Sequence, residues 1–280
     1  MSLSTSIGYW LASLFRIFAP GRLYKITNLI FSIFNVRYCD IAIYISGIYF
    51  IIDTNNYHER GLFLFGRYER GTTEFIRQFL GQLDSGIAID VGANIGIHTL
   101  NMCAARRNNN IAVISIEPNL DMVERLESNI ALNNFKNVHV SPYGVNDVES
   151  TLDLGLSYVQ NNDKYHNPGL ASMVQTSKSV RTIQVKCLPL DKIVKDLGMN
   201  IADVSLVKID VEGKELDVLK GMAPILKSSS TVLIIEFNQD NFISIKEYLC
   251  NFGYKSHGSL LWYGIDNSRL AENILFMKSP

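Results

Sequence analysis

Lys208, Asp210 and Glu212 stand at alternate positions of Val207-Lys208-Ile209-Asp210-Val211-Glu212-Gly213-Lys214-Glu215, where a lysine and carboxylates interrupt an otherwise apolar run. Charge is costly to bury unless it is paired or used, so the segment marks a site. Strand alternation puts Lys208 and Asp210 on one face and Glu212 just past the strand end. A carboxylate so placed can take a proton from a hydroxyl, which makes Asp210 and Glu212 candidate catalytic residues. Lys208 and Glu215 are candidate substrate contacts. A purely structural reading stands beside this one: Lys208 as a buried ion-pair partner, and Glu212 or Glu215 as acidic residues favoured at a helix start.

A second constellation lies earlier in the chain. Ala88-Ile89-Asp90-Val91-Gly92-Ala93-Asn94-Ile95-Gly96 reads as a strand, a glycine turn and a helix start. Glycines there let a ligand approach the backbone, and the helix start offers unpaired N–H donors. Glu117 directly follows the next apolar strand, where an acidic residue can accept both hydrogen bonds of a ribose diol. Nicotinamide dinucleotides and S-adenosylmethionine both carry that ribose. The loop lacks the middle glycine of GxGxxG, and Asp90 would repel a pyrophosphate while suiting an amino group or a sulfonium. These residues favour S-adenosylmethionine.

Regular alternation supplies the elements that would position both groups. Strands are expected at 87–91, 111–116, 138–141, 204–210, 231–237 and 273–277, and helices at 72–83, 95–105, 120–132, 214–226 and 242–252. The expected class is α/β, with a parallel sheet covered on both faces. Residues 40–53 read as a hairpin turning at Ser46-Gly47. The interval 149–190 breaks the rhythm with the polar stretch 160–169 and reads as an insertion on the sheet rim; His166 within it is a candidate substrate contact and substitute base.

Composition narrows the partners. Among 280 residues, 26 Lys and Arg balance 27 Asp and Glu, so no basic field draws the chain to nucleic acid. The cysteines, Cys39, Cys103, Cys187 and Cys250, and the five histidines show no metal-ligand spacing, so no metal is expected and the thiols read as buried and free. A cytoplasmic setting is expected. Before Asp40 the charged residues are Arg16, Arg22, Lys25 and Arg37, all basic. Ile7, Trp10, Leu11, Leu14, Phe15 and Phe18 recur at helical spacing, but Arg16 interrupts them short of the roughly 20 apolar residues that span a bilayer. The segment can pack on its own domain or lie at a membrane surface as a peripheral contact.

The ordered set AIDVGANIGIHT, ISIEPN, LESNIALNN, GLASM, LPLDKI, VKIDVEGKELDVLKG and LIIEF resembles FkbM-type S-adenosylmethionine-dependent methyltransferases over about 68–237. The resemblance implies the Rossmann-like seven-stranded methyltransferase sheet (class I), taken as a domain over 67–280; residues 1–66, outside the resemblance, read from their own pattern as a helical and β-hairpin extension. It implies O-methylation, often of sugar or natural-product hydroxyls, and so a small-molecule or glycan acceptor. It assigns Asp90, Gly92, Asn94, Gly96 and Thr99 to the loop around the methionine portion, Glu117 to ribose and Asp147 to the neighbourhood of adenine. It places the strand ending at Asp210 between those ending at Asp90 and Glu236, which adds Glu236 to the candidate bases. Tyr68-Glu69 resembles a pair common upstream of the family's first strand, with Arg70 where proline usually follows. An NAD-dependent oxidoreductase and a noncatalytic membrane-surface module remain the alternative readings.

Overall fold

In a computed structural model, which describes residues 40–54, 56–105, 110–156, 171–172, 181–263 and 269–278, the chain opens on a hairpin, β1 (Ile41–Ile45) and β2 (Ile48–Ile52). Ser46 and Gly47 both turn with positive φ, at 50° and 88°, the twist that suits a two-residue hairpin. Helices α1 (Tyr57–Phe65) and α2 (Arg70–Gln82) follow. The alternating region comprises β3 (Gly86–Val91), α3 (Ile97–Ala104), β4 (Ile111–Ile116), α4 (Leu120–Leu132) and β5 (Val138–Ser141). Then come the short β6 (Gly144–Val145), β7 (Ser150–Leu156), β8 (Ala171–Ser172), β9 (Arg181–Leu188) and α5 (Leu190–Asp196). The last part contains β10 (Val204–Ile209), α6 (Glu215–Gly221), α7 (Ala223–Ser228), β11 (Val232–Glu236), α8 (Phe242–Cys250), β12 (Tyr254–Tyr263) and β13 (Arg269–Lys278).

Seven strands form one sheet in the order β12-β13-β11-β10-β3-β4-β5, all running in one direction except β13, which pairs antiparallel with both β11 and β12. Each central strand is apolar on both sides because helices cover both faces. Ile89, Val91, Val207, Ile209 and Ile235 pack on the side of α5 to α8. Ala88, Leu206 and Ile234 pack with Ile76 and Leu80 of α2 and Met102 of α3. Asp90, Lys208 and Ile234 are in register across β3, β10 and β11, so Asp90 and Lys208 lie on the α2 and α3 side.

The hairpin is docked by side chains of α4. Asn133 exchanges hydrogen bonds with the backbone of Tyr49, accepting from its N–H at 2.8 Å and donating to its carbonyl at 2.7 Å. Asn129 accepts from Ile51 N–H at 2.6 Å and donates to Ile95 carbonyl at 2.9 Å. One helical turn between the asparagines matches two residues of strand, so the helix supplies the edge of β2 with a partner ladder. Ile43, Phe50, Ile52 and Phe63 share a core with Ile95, Leu100 and Met122. Below it, buried Glu59 accepts two bonds from Arg125, at 2.7 and 2.6 Å, and one from Asp53 N–H at 2.6 Å.

Several elements differ from the expectations drawn from sequence. The interval 149–190 holds β7 and β9, an antiparallel pair that joins β6 and β8 in a four-stranded second sheet. Leu154, Leu156, Val185 and Cys187 form its core. The helix expected over 214–226 divides at Met222, because Pro224 cannot donate into a continuing helix and begins a new one. Strand β12 was not foreseen; a register shift between Ser256 and Ser259 disrupts its alternation. Helix α1 was not foreseen either. Cys103 and Cys187 are buried, whereas Cys250 is exposed at the end of α8. The segment 1–39, Cys39 and His166 lie outside the described residues, and among the described helices none is long and apolar enough to cross a membrane.

The two candidate segments meet through backbone. Asp210 N–H donates to Val91 carbonyl at 3.0 Å, and a Cβ on Gly92 would lie 1.8 Å from Asp210 carbonyl oxygen. Gly92 also has φ of 82°, so both conformation and space require glycine. Gly92→Ala is expected to lower stability by about 3 kcal/mol, strain and collision combined, as read by urea unfolding; a midpoint equal to that of the unaltered chain would contradict the contact. Arg125→Met, which leaves Glu59 buried without its cation, should cost about 3 kcal/mol in the same assay, and a loss below about 0.5 kcal/mol, the usual range for surface substitutions, would show the pair to be dispensable.

Candidate active site

At the carboxyl ends of β3 and β4 the chain builds a tight polar pocket wall. Gly92 N–H and Ala93 N–H both donate to Ile116 carbonyl, at 2.9 and 3.0 Å, which pins the turn to the end of β4. Asn94 takes a left-handed φ of 51°, tolerated by asparagine, and Gly96 follows at 92° as α3 begins. Thr99, on the first turns of α3, donates to Asp90 Oδ2 at 2.7 Å and accepts from Ser115 Oγ at 2.9 Å. The other oxygen, Asp90 Oδ1, is buried and has no hydrogen-bond partner among the described residues. A buried carboxylate oxygen in that state is a ready acceptor for a ligand donor.

Glu117 closes the wall. Its Oε2 accepts from Asn94 N–H and its Oε1 from Asn119 N–H, both at 2.9 Å, and each oxygen retains a further lone pair. Burial raises its carboxyl to about 7 against the opposing pull of those two amides. Asp147 is exposed in the turn between β6 and β7. Gly92 and Gly96, expected to admit a ligand, also serve packing: a Cβ on Gly92 would meet Asp210 carbonyl oxygen, and one on Gly96 would meet the Leu126 side chain.

Around β10 and β11 the carboxylates gather. Lys208, only 2% exposed, donates from Nζ to Asp210 Oδ2 at 2.8 Å. Burial works against the lysine charge, but Asp210, Asp90 and Glu69 outweigh it and raise its pKa. Asp210, Glu212 and Glu236 bring carboxylate oxygens within 4.8 Å of one another, a grouping able to share a proton or a cation. Glu236 is pushed strongly upward by burial and by Asp210 and Glu212, so it is the proton-holding member. Glu212, at a left-handed φ of 53°, is raised to about 7 by burial, Asp210 and Glu215. Glu215 is fully buried: it accepts from Gly213 N–H at 2.8 Å and from Asn241 Nδ2, tying the turn after β10 to the start of α8. Its geometry is that of a positioning residue.

A third group escaped the residue patterns. Glu69, at the left-handed entry to α2, accepts from Asn273 Nδ2 at 2.7 Å and pairs with His98 Nε2 at 3.0 Å. Asn273 also donates to Thr72 Oγ1 at 2.9 Å. Burial opposes the Glu69 charge, yet His98, Lys208 and Asn273 together hold its carboxyl low. Arg70, which follows Tyr68-Glu69 directly, is the first residue of α2, a position that also suits proline. The signal available in sequence was a histidine inside an apolar helix, Ile97-His98-Thr99-Leu100, with no partner nearby in the chain.

The chain is similar in sequence to known proteins. Hexuronic acid methyltransferase AglP of Haloferax volcanii is 30% identical over 167 residues, 59% of this chain and 62% of that protein. Methyltransferase 1 of Beauveria bassiana is 28% identical over 153 residues, 50% of this chain and 59% of that protein. The chain therefore spans less than two thirds of the length of either relative. A solved methyltransferase FkbM from Methylobacillus flagellatus KT aligns at a TM-score of 0.49 and 16% identity, over 73% of this chain and 50% of that one. The methyltransferase FkbM domain matches residues 90–256, more than half of the chain, and takes in the glycine turn, Glu117, the lysine and carboxylates of β10 and Glu236; the chain belongs to that family.

Proposed function

We propose that this protein is an S-adenosylmethionine-dependent O-methyltransferase acting on a hydroxyl of a sugar or glycoconjugate. The observation that carries the reading is the Lys208–Asp210 ion pair at the same sheet edge as Asp90 and Glu117, with β10 and β3 locked together there. The sugar class comes from the hexuronic acid methyltransferase to which the chain is similar.

The wall of the first pocket fits the cofactor chemically. Glu117 has acceptor capacity for a ribose diol, and Asp90 Oδ1 is a buried acceptor suited to the amino group. Asn94, Gly96 and Thr99 would hold the loop, and Asp147 would lie toward the base. When bound, S-adenosylmethionine supplies an electrophilic methyl on a sulfonium.

The residues of the chain then have three tasks. Asp210, fixed by Lys208, accepts the hydrogen bond of the acceptor hydroxyl and takes its proton as the new C–O bond forms and the C–S bond breaks. Burial and the neighbouring Asp210 and Glu212 favour the protonated form of Glu236, which keeps it from adding a second adjacent charge. Glu212 stands at the rim toward the acceptor. Most of the rate gain comes from alignment of the reacting atoms, since carboxylates near a sulfonium favour the ground state at least as much as the charge-dispersed transition state.

Asp210→Asn is expected to lower methyl transfer from labelled S-adenosylmethionine to a glycan panel by about a hundredfold or more, with urea unfolding as the control for folding; unchanged turnover would sink the assignment. For Glu117 the sign follows from its raised pKa. Below about 7 the free protein holds a neutral carboxyl that accepts fewer bonds from a diol, so affinity for S-adenosylhomocysteine should weaken as pH falls, by at most ~tenfold per unit. Calorimetry across that range checks it, and a profile left unaltered by Glu117→Gln would exclude Glu117 as the titrating group.

A further inference from the structure

Between the hairpin turn and the start of α2 lies a cleft of about 350 Å³ that none of the roles above uses. Arg67, Arg70 and Arg77 line it, against the single carboxylate of Glu74. Glu74 is engaged by Arg70 in an exposed pair one helical turn apart. Arg77 is half-buried and donates to neutral groups, from Nε to Asn101 Oδ1 at 2.8 Å and from Nη2 to Ser46 carbonyl at 3.0 Å. Burial, with no carboxylate to offset it, lowers its pKa. Arg67 Nε is buried with no hydrogen-bond partner among the described residues.

An unpaired buried guanidinium N–H is costly, and a planar fork of such donors fits carboxylate or phosphate oxygens. Residues 1–39 contain no Asp or Glu that could supply that anion. Phe50 and Leu62 line the cleft as well, and apolar walls strengthen a charge pair formed inside it. Tyr68 lines the cleft next to Glu69 in sequence, and burial together with the charges of Glu69 and Asp210 keeps its hydroxyl protonated.

We infer that this cleft binds an oxyanion carried by the acceptor, a carboxylate or a phosphate, held by Arg67 and Arg77 while the hydroxyl to be methylated reaches Asp210. The link to the acceptor rests on the methyltransferase reading; the anion site itself does not.

The test is a low-salt calorimetric titration of the full chain, with and without S-adenosylhomocysteine, using methyl glucuronide, a hexose 6-phosphate and neutral methyl glucoside. At least one anionic sugar should bind about tenfold or more tighter than the neutral one, and which one separates carboxylate from phosphate. Arg67→Met should abolish that preference while leaving S-adenosylhomocysteine affinity unchanged, and Arg77→Lys, which keeps the charge but loses the fork, should weaken it. Equal binding of the neutral sugar, no anion binding, or a preference that survives Arg67→Met would overturn the inference. Failure of the unaltered chain to bind S-adenosylhomocysteine would instead count against the methyltransferase reading, with the anion titration still readable in cofactor-free protein.

Discussion

A single buried cation on the central strand organises the charges of this protein. Lys208 sits between β3 and β11, in register with Asp90 on one side, and its ammonium contacts Asp210. A lysine there survives only because Asp210, Asp90 and Glu69 surround it from three different elements. The dependence is mutual. Glu69 keeps its charge through His98 and Lys208, while burial and the neighbouring Asp210 drive Glu236 and Glu212 toward their protonated forms. The carboxyl groups thus divide into anions held around Lys208 and proton-bearing groups beyond it.

The outer parts of the fold keep this arrangement in place. Glu69 reaches it from the entry to α2, and Asn273, opposite Glu236 on β13, holds Glu69 by its side chain. The hairpin is tied in turn to α4 by Asn129 and Asn133, and Asn129 also grips Ile95 carbonyl beside the glycine turn. Residues 41–65 therefore brace the loop that carries Asn94 and Gly96, although they lie outside the stretch matched by the family domain.

Much of this was legible in the sequence for a definite reason. Strands buried on both faces must be continuous apolar runs, so 87–91, 111–116, 204–210 and 231–237 stood out, and so did the charges that interrupt or terminate them. Elements with one wet face were harder. Strands β7 and β9 alternate Leu152, Leu154 and Leu156 against Ile183, Val185 and Cys187, but the polar stretch between them masked the pattern. The Glu69–Asn273 bond joins residues 204 positions apart, and no local rule connects them. Arg67 and Arg77 follow no local pattern, and the cleft they line is formed with residues of the hairpin and of α3.

The contact between Gly92 and Asp210 carbonyl has one more consequence. It is made by main chain on both sides, so the separation between the turn after β3 and the turn after β10 does not depend on which side chains surround them. Substitutions at the rim can reshape what enters the crevice while the two turns keep their spacing. In the proposed methyltransferase, acceptor preference can therefore drift within this architecture without recalibrating the distance between donor and acceptor sites.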